Sequence, residues 1–175
     1  MSALARHFHG RGVHVCGYDK THTELTQALQ QEGIEVFFDD DPSLIRRRPE
    51  MVIYTPAVPK DTKLFSHFTA TEAPLVKRAK VLGLLSAELP TIAVAGTHGK
   101  TTICAMLTHI MKYAGTPCLS FLGGISLNYN SNYIGDTRPK WMIAEADEFD
   151  RSFLHLKPKL ALISSVDCDH LDIYG

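Results

Sequence analysis

Residues 93–102 read AVAGTHGKTT, and no other stretch constrains the fold of this chain as tightly. An apolar run, residues 91–95, precedes the glycines and has the length of a buried strand. Behind them apolar residues recur at Ile103, Met106, Leu107 and Ile110, then Ala114, with Gly115 as the stop. That is helical spacing. A strand, a tight glycine turn and a helix in succession aim unpaired backbone N–H groups and the positive end of the helix dipole at one spot. Gly96 and Gly99 carry no Cβ, so an anion such as phosphate can approach the main chain closely. Lys100 adds a mobile cation for terminal phosphates, and the Thr101 hydroxyl is placed to bind Mg²⁺. The general pattern of such loops has a glycine where Val94 stands, so this loop is a variant form. The plainer alternative is a strand-to-helix turn with an incidental lysine.

Bulk properties narrow the setting. The chain has 175 residues, enough for one ordinary domain or two small ones, with 45% apolar and 21% charged residues, as expected of a soluble globular protein. A formal net charge of -1 gives no global electrostatic case for binding nucleic acid. The basic run Arg46-Arg47-Arg48 follows three aspartates and precedes Pro49, which reads as a solvated loop or helix end. Cys16, Cys104, Cys118 and Cys168 form no C-x-x-C pair and fit reduced thiols in a cytoplasm. No apolar stretch approaches the roughly 20 residues of a membrane span, and Arg6, His7 and His9 interrupt any signal-peptide pattern.

Before residue 90 short strands alternate with helices. A helix is expected over residues 2–12, with Leu4, Ala5 and Phe8 inward and Gly12 as its stop, and another over 23–33 carrying Leu25, Ala28 and Leu29. Strands are expected at 13–17, 34–38, 51–55 and 74–76, an α/β pattern with a parallel sheet. Asp19, just past a strand end, has two readings: a ribose contact of a nucleotide-binding βαβ unit, or an ordinary turn acid before Lys20. Residues 80–89 read as a connecting helix and Pro90 as a boundary. Beyond the loop and its helix, a glycine-rich turn is expected at Gly123-Gly124, and two further buried strands at 141–144 and 160–164.

Those last two strands each run into acids. The first leads into Glu145-Ala-Asp147-Glu148-Phe-Asp150, the second into Asp167-Cys168-Asp169-His170-Leu171-Asp172. In α/β sheets the strand ends on the loop side line the ligand crevice. Glu145 and His170 would therefore reach the same edge as Lys100 and could hold a nucleotide's metal, although any one such acid is more simply a solvated loop residue. A zinc site is not indicated, because no thiol and imidazole pairs show ligand spacing. Nor is a calcium loop: the D-x-D run continues into Leu171 without the required glycine.

GTHGKTT at 96–102, EADEFDRSFLHLKP at 145–158 and DHLDIY at 169–174 together resemble the Mur ligases, with His98 and the upstream segments TPAVP and KRAKVLGLL most similar to the alanine-adding branch. The resemblance implies a Rossmann-like UDP-substrate-binding domain at 1–88, lacking its first strand and glycine-rich loop, followed by the first part of a P-loop ATPase-type central domain at 89–175. It implies an ATP-dependent ligation of L-alanine to UDP-N-acetylmuramate in bacterial, cytoplasmic peptidoglycan synthesis, through an acyl phosphate. Murein peptide ligase chemistry and a noncatalytic ATP-binding module are the alternatives. In this reading Gly96, Thr97, His98, Gly99, Lys100, Thr101 and Thr102 hold ATP, while Thr101, Glu145 and His170 hold Mg²⁺. Lys100, Glu145 and His170 act in catalysis, and Asp19 and Arg78 face the UDP moiety. No nucleic acid or membrane partner is implied. The family's uridine-gripping loop is expected before Met1, and its remaining ATPase and amino-acid-binding parts after Gly175, so this chain alone is expected not to ligate alanine. Ser165 stands where the family often has asparagine.

Overall fold

The computed structural model describes residues 1–167. The chain divides into two compact units, the first Met1–Arg78 and the second beginning at Ala79.

The first unit opens with α1 (Ser2–His9) and β1 (Cys16–Tyr18), followed by α2 (Glu24–Gln31) and β2 (Glu35–Phe37). Next come β3 (Val52–Tyr54), α3 (Lys63–Thr69) and β4 (Leu75–Lys77). Helix α2 starts where Thr23 and Thr26 form a reciprocal capping box, and it stops at Gly33, whose φ of 89° favours glycine. Parallel pairing is present, but as two separate ladders, β1 with β2 and β3 with β4, and not as one sheet. The inward face of α1 also differs from expectation. Leu4 is buried, but so are Arg6 and His7, whereas Ala5 and Phe8 are only half-buried. Arg6 can be buried because its guanidinium donates to both carboxylate oxygens of Glu32, at 2.7–3.1 Å.

In the second unit α4 (Arg78–Glu88) leads to β5 (Thr91–Ala95), α5 (Lys100–Tyr113), β6 (Cys118–Ser126), β7 (Ser131–Gly135), β8 (Trp141–Glu145) and β9 (Leu160–Ile163). A 3₁₀ segment, Phe149–His155, joins the last two strands. The sheet has five strands in the order β7-β6-β8-β5-β9, all parallel except the β6–β7 hairpin. Two of these strands depart from the sequence reading. Gly123 and Gly124 lie inside β6 and not in a turn, and β7, absent from that reading, pairs with β6. Strand β8 is buried, but β9 is exposed throughout, because among the described residues it pairs only with β5.

Helix α5 spans the expected residues, and Gly115 follows it at φ 66°. Its buried face is Cys104 and Thr108, flanked by Ile103, Leu107 and Met111; Met106 and Ile110 are each 60% exposed. A polar threonine can occupy that inner face because its hydroxyl lies 2.7 Å from Cys104 O and 2.8 Å from Ser120 Oγ. Val94, Cys104, Leu122, Ile134 and Ile143 form the core between helix and sheet. Among the described residues no helix is long and apolar enough to cross a membrane.

Candidate functional site

The strand order puts β8, β5 and β9 side by side and parallel, so their C-terminal ends open on one edge. From β5 the chain passes through residues 96–99 into α5. Gly96 has φ 123° and Gly99, the residue before the helix, φ 82°, both in the region where a Cβ is strained. At Gly96 space forbids one too: a Cβ would collide with Ser164 Oγ and lie 2.9 Å from Ser165 N.

That crowding reflects a set of bonds lacing the loop to the chain leaving β9. Ser164 N–H donates to Ala95 O at 3.0 Å, and its hydroxyl donates to His98 O. Thr97 N–H donates to Ser165 O at 3.0 Å, and His98 N–H to Ser165 Oγ at 3.2 Å. Asp167 N–H donates to Thr97 Oγ1 at 2.9 Å. The loop's shape is therefore fixed by partners about 70 residues away in sequence, which pre-organises its backbone.

At the start of α5, Lys100 Nζ donates to Gly96 O at 2.7 Å and to the two carboxylate oxygens of Glu148 at 2.8 and 2.9 Å. Both side chains are sheltered, 15% and 23% exposed. From the end of β8, Glu145 Oε1 accepts a 2.6 Å bond from Gly123 N–H. The next residue, Gly124, lies against Thr101, whose Cγ2 is 3.5 Å from where a Cβ would be. Consecutive glycines of β6 thus lie against Glu145, through its carboxylate, and against Thr101, through its methyl group. Beneath them, burial and then the Glu145 charge push the Cys104 thiol up to about 12, leaving it an inert core group.

The structure brings together Gly96, Thr97, His98, Gly99, Lys100, Thr101 and Glu145; Thr102 is exposed on the first turn of α5. His98 points its imidazole toward Asp167, Nε2 to Oδ2 being 3.9 Å. His170 lies outside the described residues. Among those described, no three His, Cys, Asp or Glu side chains gather into a metal cluster. Asp19 belongs to the first unit, where its carboxylate accepts from Thr21 N–H at 3.0 Å. Burial, then the Arg78 charge, lowers the Met1 amine to about 6, and the Asp19 charge opposes the shift. Sequence reasoning assigned no role to Gly123 or Ser164, noted Glu148 only within its acid run, and noted Ser165 only as a departure from asparagine. The signals for them were the glycine pair, that acid run and the serines that directly follow a strand.

A glycine loop between a buried strand and a helix opening on Lys-Thr-Thr, beside a parallel strand that ends in glutamate, defines an α/β domain of the phosphate-binding-loop class. The chain belongs to the Mur ligase family: the model of the Mur ligase family catalytic domain matches residues 1–89, and that of the Mur ligase middle domain matches residues 94–175. It is 50% identical over 183 residues to the UDP-N-acetylmuramate–L-alanine ligase of Christiangramia forsetii, and 48% identical over 180 residues to that of Porphyromonas gingivalis. Each comparison takes in all of this chain and 40% of the relative, so the chain spans two fifths of the length of these curated relatives. The crystal structure of UDP-N-acetylmuramate-alanine ligase from Thermotoga maritima matches with a TM-score of 0.86 at 32% identity, over all of this chain and 41% of that one.

Proposed function

We propose that this chain carries the phosphate-handling part, and much of the nucleotide-sugar-binding part, of an ATP-dependent ligase of the bacterial cytoplasm that joins L-alanine to UDP-N-acetylmuramate. The observation that carries the reading is that Lys100, just past the loop leaving β5, and Glu145, at the end of the adjacent parallel strand β8, stand on one sheet edge. The naming of the relatives above supports the same substrates.

The residues fit a nucleotide's phosphates. Among the described residues no side chain caps the N-terminus of α5, and its first turn holds no acid, so its N–H groups and dipole favour an anion. Thr101 and Glu145 fit Mg²⁺ as hard oxygen donors, and His170 would complete that set.

A carboxylate is a poor acyl donor at neutral pH, and ATP supplies the activation. The γ-phosphoryl group passes to the lactyl carboxylate oxygen, ADP departs, and the alanine amine attacks the acyl carbon to release phosphate. Here Lys100 would neutralise the terminal phosphates, Gly96, Thr97, His98, Gly99 and Thr102 would frame them, and Thr101 and Glu145 would hold a Mg²⁺ that offsets their charge. Asp19 and Arg78, in the domain at 1–88, would face the UDP moiety.

The test is equilibrium binding of ATP to the purified chain and to Lys100→Ala, together with ADP release by the full-length protein on adding UDP-N-acetylmuramate with L-alanine. ATP binding that depends on Lys100 supports the reading. Binding unaffected by Lys100→Ala removes the loop from it, and ADP release by the full-length protein driven by a peptide in place of alanine assigns the amine substrate to murein peptide ligase chemistry.

A further inference from the structure

We propose that Glu148 acts as a built-in phosphate surrogate, competing with the terminal phosphates of a nucleotide for Lys100. The inference rests on the reading of the loop as an ATP site and adds a regulator of its affinity.

A lysine ammonium has three N–H donors. Lys100 directs them at three acceptors, Gly96 O at 2.7 Å and the Glu148 oxygens at 2.8 and 2.9 Å. The ammonium is therefore saturated, and a phosphate oxygen reaches it only by displacing one of these partners. Glu148 is the partner a phosphate resembles, since its two anionic oxygens mimic two non-bridging phosphate oxygens. With 15% and 23% exposure, the pair is screened less by solvent and salt than a surface ion pair.

The surrogate is held in place by its backbone. Glu148 O accepts from Arg151 N–H at 3.0 Å, and Asp147 O accepts from Phe153 N–H at 3.0 Å, so the carboxylate stands at the mouth of a folded 3₁₀ segment. That segment is tied to α4. Lys157 N–H donates to the buried Ser86 Oγ at 2.8 Å, and His155 O packs so closely on Gly83 that a Cβ there would overlap it. A carboxylate held beside the loop also repels an arriving phosphate, so Glu148 opposes the ligand both by occupying Lys100 and by charge.

Only the fraction of molecules in which Lys100 is released binds nucleotide with full affinity, and the apparent Kd rises by the reciprocal of that fraction. Glu148→Gln keeps the shape and removes the charge. Its Kd for ATP, measured calorimetrically on the full chain in EDTA so that no metal contributes, is expected to fall about tenfold. Most of the gain should be lost in the Lys100→Ala background, where only the charge repulsion is left to relieve, as a double-mutant cycle requires for a direct pair. Glu148→Asp, which withdraws the carboxylate by one methylene, should shift Kd the same way, and it serves as the test if the glutamine variant does not fold.

An unchanged or weaker affinity in Glu148→Gln, with ATP still bound by the parent chain, overturns the proposal and makes Glu148 a group that positions Lys100. A gain of undiminished size without Lys100 overturns it as well. If neither the parent nor the variants bind ATP, the ATP reading of the loop fails and takes this inference with it.

Discussion

The backbone N–H of Gly123 donates to Glu145 Oε1 at 2.6 Å, so a residue of β6 fixes the carboxylate that ends β8. The two strands pair in register only from Cys118 opposite Trp141 to Phe121 opposite Ala144. Beyond that point β6 separates, and the side chain of Glu145 fills the gap. A Cβ on Gly123 would lie 2.7 Å from Glu145 Oε2. Gly123→Ala should therefore displace the carboxylate while the backbone, which has no positive φ there, tolerates the change. Loss of an orienting partner of this kind costs a metal site about 10–100-fold in affinity. Titrating the Mg²⁺ dependence of ATP binding checks this, with the melting curve as the folding control. An unaltered Mg²⁺ dependence would remove Glu145 from the metal site.

Gly96 and Gly115 separate backbone strain from crowding. Both have positive φ, 123° and 66°, but a Cβ at Gly115 meets nothing within 4 Å, whereas one at Gly96 runs into Ser164 and Ser165. Gly115→Ala is expected to cost about 1 kcal/mol from backbone strain alone. Gly96→Ala should cost about 3 kcal/mol, because the β9 lacing must also open. It should abolish ATP binding, which Gly115→Ala leaves intact. Urea unfolding and ATP titration of the two variants give the comparison, and equal costs would show that the lacing contributes nothing.

What the sequence made legible, and what it hid, follows from the range of the interactions. Strand β5, its loop and α5 are local: their periods and glycines sit within one window, and their limits were readable to a residue or two. The buried face of α5 was not. Thr108 faces inward because Ser120, on another strand, satisfies it, and no periodicity of apolar residues records that. Strand β6 was hidden by Gly123-Gly124, which read as a turn; Gly123 is there because the Glu145 carboxylate crowds that point of the strand. Glu148, Ser164 and Ser165 act across 48 to 69 residues of sequence, through pairings that only the sheet order creates.

His7 makes the stability of the first unit depend on pH. It is 1% exposed, and burial first, then the Arg11 guanidinium, lowers its pKa from 6.5 to about 4. The unfolded chain therefore binds a proton more readily than the folded one between those values. The stabilisation is fully present above pH 6.5 and is lost as pH falls toward 4, by on the order of 3 kcal/mol. Urea midpoints at pH 7.5, 5.5 and 4.5 should fall more steeply for the parent chain than for His7→Gln. Parallel curves would mean that another group titrates.

Thr108 offers a test of the core itself. Its hydroxyl lies between Cys104 O and Ser120 Oγ with none of the three residues more than 0% exposed, so the three polar atoms depend on one another for hydrogen bonds. Thr108→Val preserves shape but leaves the Ser120 hydroxyl with only the weak acceptor Cys118 Sγ, at 4.0 Å. The expected loss is about 2 kcal/mol, most of it the cost of an unsatisfied buried hydroxyl and not of one missing bond. Ser120→Ala on top of Thr108→Val removes that orphan, so the double variant should be more stable than Thr108→Val alone. If instead the two losses simply add in urea unfolding, the threonine and serine do not form a coupled pair, and α5 is held to β6 by apolar packing alone.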